Sequence, residues 1–78
     1  MTVTRDGAVL IHPGPYKHHV RGGFIRVDHE LSDLESELLG RAIEAADVSP
    51  LAVCWVRLYE GRAIIQTDDT VDLIEVNL

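Results

Sequence analysis

Three histidines near the start of the chain are the residues best suited to bind a metal ion. They are His12, His18 and His19, and neutral imidazole nitrogens bind zinc, copper or nickel. The spacing is a poor match to a metal site, because adjacent residues of an extended chain point to opposite sides. The sequence therefore predicts no metal and no other cofactor. A small ligand- or metal-binding domain that uses these histidines stays an alternative.

A fourth histidine lies among carboxylates and suggests acid–base chemistry. His29 stands between Asp28 and Glu30, and a paired histidine and carboxylate can transfer protons. The chain has no serine in a nucleophile-turn motif, and Cys54 falls in a predicted core strand, where thiols are usually inert. We therefore expect no catalytic residue, and a minimal enzyme that uses His29 with Asp28 or Glu30 is a further alternative.

Strands are predicted wherever apolar and polar residues alternate between turn residues. Asp6-Gly7 joins the first two strands, because both residues tolerate the positive φ of a tight hairpin turn. Glu60-Gly61 joins a later pair and sets a register in which Cys54 lies opposite Thr67. The predicted strands are Thr2–Arg5, Ala8–Ile11, Phe24–Asp28, Leu51–Tyr59, Arg62–Asp68 and Val71–Asn77.

One helix is predicted between the two groups of strands. Ser32 and Glu35 have the spacing of a capping box, and Ser49-Pro50 ends the helix, because the residue before proline avoids helical angles. Gly40 is expected to pack closely against the sheet. The apolar stripe is expected at Leu31, Leu34, Leu38, Ala42 and Ala45, widened by Leu39, Ile43 and Ala46. The prediction is a single α+β domain over residues 1–78, with two layers: one amphipathic helix packed on a mainly antiparallel sheet, in the order β-β-β-α-β-β-β.

Residues 12–23 are predicted to form a long polar loop, bent by Pro13 and Pro15 and closed by Gly22-Gly23. Long loops in small domains are often functional. Its candidate binding residues are Tyr16, Lys17, His18, His19 and Arg21. Their aromatic and basic side chains suit an anionic or polar partner.

A second candidate binding surface is the strand that carries Val53, Trp55, Arg57 and Tyr59. The predicted register turns all four away from the helix, and Phe24, Arg26 and Ile64 are expected on the same face. Tryptophan, tyrosine and arginine are the residues most enriched in interface hot spots. An exposed sheet face of this composition therefore predicts an interface.

Charge is divided unevenly along the chain. The first 27 residues hold four basic side chains and one acid, a formal +3, whereas residues 28–78 hold twelve acids and three arginines, a formal −9. The net charge of −6 disfavours binding to nucleic acid. A single cysteine, the absence of an apolar run long enough to span a membrane, and an N-terminus unlike a signal peptide favour the cytoplasm and no membrane partner.

These features predict a small acidic protein-interaction module without catalytic activity. Its partner is expected to be a larger protein, a second copy of itself in a homodimer, or both. A small inhibitor or accessory protein encoded by a phage or another mobile element has this size and charge.

Overall fold

The computed structural model describes residues 2–3 and 7–78, and side chains from residue 7 onward. Within these residues one helix packs against a mainly antiparallel sheet, which confirms the predicted two-layer α+β fold. The strands are β1 (Thr2–Val3), β2 (Val9–Ile11), β3 (Tyr16–Val20), β4 (Gly23–Val27), β5 (Val53–Tyr59), β6 (Arg62–Thr67) and β7 (Ile74–Asn77). The helix α1 spans Asp33–Ala46, and a short 3-10 helix spans Pro50–Ala52. No helix in the described ranges has the length and apolar character that crossing a membrane requires.

Five strands form one antiparallel sheet in the order β1-β2-β5-β6-β7. The antiparallel pairing of β1 with β2 confirms the first predicted hairpin, but Val3 lies opposite Val9 and not opposite Leu10, as the predicted two-residue turn requires. Thr4, Arg5 and the turn residue Asp6 lie outside the described residues. The helix and the β3–β4 hairpin cover one side of this sheet. The buried core draws on all three: Ile11, Ile25, Val27, Leu39, Ala42, Ile43, Val56, Leu58, Ala63 and Ile65.

The prediction that residues 12–23 form a loop is wrong, because residues 16–20 form strand β3. This strand pairs with β4 in a regular antiparallel ladder that runs from Tyr16–Val27 to Val20–Gly23. Gly22 takes a φ of 90° in the two-residue turn between them, a conformation that glycine adopts readily. The sequence pattern hid this strand, because its outward positions are polar and the polar His18 stands between Tyr16 and Val20 on its inward side. Residues 12–15 remain the irregular connection into the hairpin.

The connection passes very close to the end of β4. A Cβ atom built on Gly14 would lie only 2.4 Å from the Cα atom of Asp28, so no larger residue fits without movement of the backbone. The backbone N–H of His12 also donates a hydrogen bond to Asp28 Oδ1, at 3.4 Å. The first residues of the predicted loop are therefore held against the body of the domain.

The β5–β6 hairpin keeps its predicted register near the turn but not at its far end. Val56 pairs with Ile65 as expected, whereas Val53, and not Cys54, lies opposite Thr67. A β-bulge between Val53 and Trp55 adds one residue to β5. Because of the extra residue, Val53 faces the core and contacts it. The prediction that Val53 lies on the same face as Trp55 is therefore wrong.

The helix begins as predicted and ends slightly early. Ser32 and Glu35 form both hydrogen bonds of the capping box, and Asp47 ends the helix with a φ of 53°. The buried stripe is Leu39, Ala42 and Ile43, while Leu34 is 64% exposed. Leu31, Leu38 and Ala46 pack against this core, whereas Ala45 is exposed like Leu34. The predicted stripe is therefore correct except at Leu34 and Ala45. Gly40 has open space where a Cβ atom would lie, so close packing does not explain it.

Candidate functional site

The side of the five-stranded sheet opposite the helix carries the strongest candidate site, and we call it the outer face. Strand alternation places Trp55, Arg57 and Tyr59 of β5 there. The register adds residues from the neighbouring strands: Leu10, Arg62, Ile64, Gln66, Glu75 and Asn77. No described helix or strand covers this face, so its partly exposed aromatic and apolar groups are available to a partner.

Arg57 lies at the centre of the outer face, on the middle strand of the sheet. Its neighbours across the strands are Leu10 and Ile64. Its guanidinium carbon lies 5.7 Å from the centre of the Trp55 ring, and Nη1 donates a long hydrogen bond of 3.5 Å to the Tyr59 hydroxyl. Its Nε is buried and has no acceptor among the described residues. The cation is therefore held between two aromatic side chains with one donor unpaired.

Three other arginines of the described chain form ion pairs with carboxylates. Arg62 lies 3.5 Å from Glu75, Arg41 lies 2.8 Å from Glu37, and Arg21 lies 2.8 Å from Glu44. Within residues 7–78, Arg57 has no such ion pair. A charge without a counter-ion beside apolar groups is expensive unless a partner supplies one. Arg26, the other described arginine without an ion pair, is exposed, whereas Arg57 is partly buried.

Phe24 and Arg26 do not share the outer face, contrary to the sequence-based prediction. Both belong to β4, which pairs only with β3 in a separate two-stranded sheet. The sequence pattern correctly predicted a strand here but contained nothing to show which strands it would pair with.

A second exposed surface lies on the hairpin β3–β4, and we call it the basic face. Lys17 is paired with Arg26, and His19 with Phe24. The Lys17 ammonium lies 4.2 Å from the centre of the Phe24 ring. Tyr16 is 47% exposed and lies at the start of the same hairpin, on the side opposite to Lys17. The structure thus brings Lys17 and His19, predicted in the loop, together with Phe24 and Arg26, predicted on the Trp55 face.

The three histidines considered as metal ligands do not converge. His18 and His19 occupy opposite sides of β3, and His18 Nε2 lies 3.1 Å from the Ser36 hydroxyl of the helix. Burial, and after it the charge of neighbouring His19, lowers the pKa of His18. No group of three histidine, cysteine or carboxylate side chains in the described part of the chain has the geometry to hold a metal ion.

His29 joins the end of β4 to the start of the helix. Its Nδ1 lies 2.8 Å from Asp28 Oδ1, and its Nε2 lies 3.1 Å from Glu35 Oε2. Each ring nitrogen therefore lies within hydrogen-bond distance of a carboxylate oxygen. The second partner is therefore Glu35 of the capping box, and not Glu30 as the sequence suggested. With both nitrogens occupied, the ring has none free to exchange a proton with a substrate.

The two carboxyl groups that hold His29 titrate at lower pH than usual. Burial alone would raise the pKa of Asp28, but hydrogen bonds from His29 and from backbone N–H groups, together with the charge of His29, outweigh it and lower that pKa. The pKa of Glu35 is lowered in the same way: burial opposes the shift, and hydrogen bonds from Ser32 and His29 prevail. We interpret this cluster as a structural contact that holds the end of β4 against the start of the helix.

Comparisons with family models, curated proteins and solved structures found no match to this chain. The fold and the sites define it as a small α+β protein with an open aromatic–arginine sheet face and a basic hairpin. Its function is therefore argued from these surfaces.

Proposed function

We propose that this chain is a non-catalytic protein-interaction module, and that its outer face binds a second copy of the chain. The observation that carries the proposal is Arg57, a cation at the centre of an open sheet with a buried donor left unpaired. A partner that supplies a carboxylate would give this guanidinium the counter-ion that it lacks among residues 7–78. The adjoining Trp55 and Tyr59 are typical of interface hot spots.

The register across the outer face favours a second copy as the partner. Arg57, Ile64 and Glu75 form one row on the consecutive strands β5, β6 and β7. Neighbouring strands are about 4.8 Å apart, so Arg57 and Glu75 lie on opposite sides of Ile64 at similar distances. A two-fold axis parallel to the strands and above β6 would place Ile64 against its own copy. Each Arg57 would then face Glu75 of the second copy, giving two ion pairs.

The apolar and exposed groups around this row suit the same arrangement. Glu75 is 55% exposed at its side chain, which leaves it free to turn toward a partner while it stays near Arg62. Leu73, one residue before β7, is 55% exposed. An isologous interface of this kind buries the same patch on both subunits. The proposed dimer interface therefore consists of residues of the sheet and of Leu73 next to it.

We propose that the dimer acts by binding a larger protein, as an inhibitor or accessory protein would. The small size and the net charge of −6 support this role and fit proteins that phages and other mobile elements encode. A cytoplasmic location is part of the same proposal.

Light scattering coupled to size-exclusion chromatography tests the dimer directly. The wild-type chain is expected to elute as a dimer at micromolar concentrations. Arg57→Glu and Glu75→Arg should each give a monomer, because breaking or reversing a close charge pair at an interface costs about 2–5 kcal/mol. The double variant that carries both changes should recover the dimer, since it restores both pairs with their signs exchanged.

The matched control is Arg41→Glu, which makes the same change of charge on the exposed side of the helix and should leave the dimer intact. Far-UV circular dichroism checks that every variant is folded. A wild-type monomer at all concentrations, or a double variant that stays monomeric while folded, would show that the proposed pairing is wrong.

A further inference from the structure

We propose that the basic face of the hairpin β3–β4 binds an acidic, extended segment of another protein that carries one large apolar side chain. This site is separate from the outer face of the sheet and goes beyond the proposed dimer. Three observations support it: an uncompensated pair of cations, an adjoining apolar cleft, and an aromatic ring already covered by a lysine.

The first observation is the pairing of like charges. Lys17 and Arg26 lie directly opposite each other on neighbouring strands, and both are exposed. Like charges in this position destabilise a sheet. Neither forms an ion pair with any carboxylate of the described residues, whereas Arg21 in the same hairpin reaches Glu44. A bound carboxylate between the two cations would relieve their repulsion.

The second observation is a cleft that begins at the edge of the basic face. It has a volume of about 280 Å³ and is lined by Pro13, Phe24, Arg26, Pro50, Leu51 and Val53. Leu51 is 81% exposed at its rim. Sites for whole small molecules usually measure about 300–1,000 Å³, so this cleft suits a single side chain. Because Arg26 lines it, an apolar anchor in the cleft places a neighbouring acidic residue beside the cations.

The third observation favours a protein segment over a nucleic acid. Single-stranded nucleic acid is held by bases that stack on open aromatic rings, but the Lys17 ammonium already covers one face of Phe24. The domain that surrounds the hairpin is acidic, with twelve acids in residues 28–78. It would repel a long phosphate backbone. A short acidic segment needs contact with the hairpin alone.

Fluorescence anisotropy with a labelled peptide tests the proposal on the full chain. The probe is a short run of glutamates with one central leucine, and serine replaces the leucine in a second probe. Lys17→Gln and Arg26→Gln should each weaken binding by about two- to fivefold, as expected for an exposed ion pair. Lys17→Glu combined with Arg26→Glu should weaken it by at least tenfold. Arg41→Gln, a matched exposed arginine on the helix, should change it by less than twofold.

The remaining probes decide the class of ligand and the role of the cleft. The serine peptide should bind more weakly than the leucine peptide, and Leu51→Ser should remove that difference. A labelled oligo-thymidine of equal length should bind more weakly than the leucine peptide. Equal or tighter binding of the oligonucleotide, an unchanged affinity in the charge variants, or no saturable peptide binding would overturn the proposal. Light scattering on the same samples reports the dimer, so failure of one proposal is seen separately from failure of the other.

Discussion

His29 is expected to contribute a large share of the stability of this domain, and His29→Ala tests that expectation. The imidazole Nδ1 lies 2.8 Å from Asp28 Oδ1, Nε2 lies 3.1 Å from Glu35 Oε2, and the side chain is 13% exposed. A hydrogen bond to a charged group contributes about 1.5–3 kcal/mol. Both carboxylates keep backbone donors after the substitution, and the Asp28 side chain is 30% exposed. We therefore expect the free energy of unfolding to fall by about 2–4 kcal/mol, which is less than twice the contribution of one such hydrogen bond.

A loss of this size is easily measured in a domain of 78 residues. The total free energy of unfolding expected for this length is about 4–12 kcal/mol, and the Tm should fall by roughly 10–30 °C. Urea denaturation at pH 7, followed by Trp55 fluorescence and by circular dichroism, gives the value. His12→Ala is the matched control, because the His12 side chain is exposed and its backbone N–H remains in the variant. It should cost less than about 0.5 kcal/mol.

The pH dependence of the loss identifies its cause. The folded-state pKa values of Asp28 and Glu35 lie below their usual values. The stability that they contribute is therefore present above about pH 4, the range of unfolded carboxyl groups, and is lost as the pH falls through the lower folded values. The difference between wild type and His29→Ala should shrink at low pH. A difference below about 1 kcal/mol at pH 7, or one that is the same at low pH, would refute the reasoning.

Two further predictions concern single positions of the fold. Gly40→Ala should raise the free energy of unfolding by about 1 kcal/mol in urea denaturation, because the position is helical and a Cβ atom meets open space; a loss would mean that the helix surface there is less open than described. His18→Gln should remove part of the acid sensitivity of the domain. The folded-state pKa of His18 is lowered, so the unfolded chain binds more protons and wild-type stability falls as the pH drops below about 6.5. The variant should show a shallower fall between pH 7 and 5, and an equal slope would count against this role for His18.

The fold class was predictable because its main elements follow local rules. The capping box at Ser32 and Glu35 and the turn register at Tyr59 and Arg62 both appear in the structure as expected. The β-bulge at Cys54 was not predictable, since a bulge leaves the alternation of residue types nearly intact and changes only which side each residue faces. Strand β3 was missed because Lys17 and His19 on one side and His18 on the other leave no run of alternating apolar residues.

The candidate sites were predictable in composition but not in arrangement. Trp55, Arg57 and Tyr59 were expected on one open face and do lie there, because they are local neighbours on one strand. The position of Glu75 in the same row as Arg57 could not be predicted, because it depends on the β6–β7 register. The contact between Glu35 and His29 could not be predicted either, because it depends on where the helix starts relative to β4. Such tertiary relationships leave no trace in the spacing of residue types.

The two proposed surfaces are compatible because they lie on opposite sides of the core. Ile25 and Val27 of the hairpin pack into the core that the sheet also lines, so the basic face points away from the outer face. Two sheets that meet at their outer faces would leave both basic faces exposed, one on each side of the dimer. A partner whose two acidic segments are joined by a linker long enough to span the dimer could then engage both, and its second contact would be intramolecular. Weak exposed ion pairs at each hairpin would in that way give a tight complex, which explains how a basic patch of two cations can serve an otherwise acidic protein.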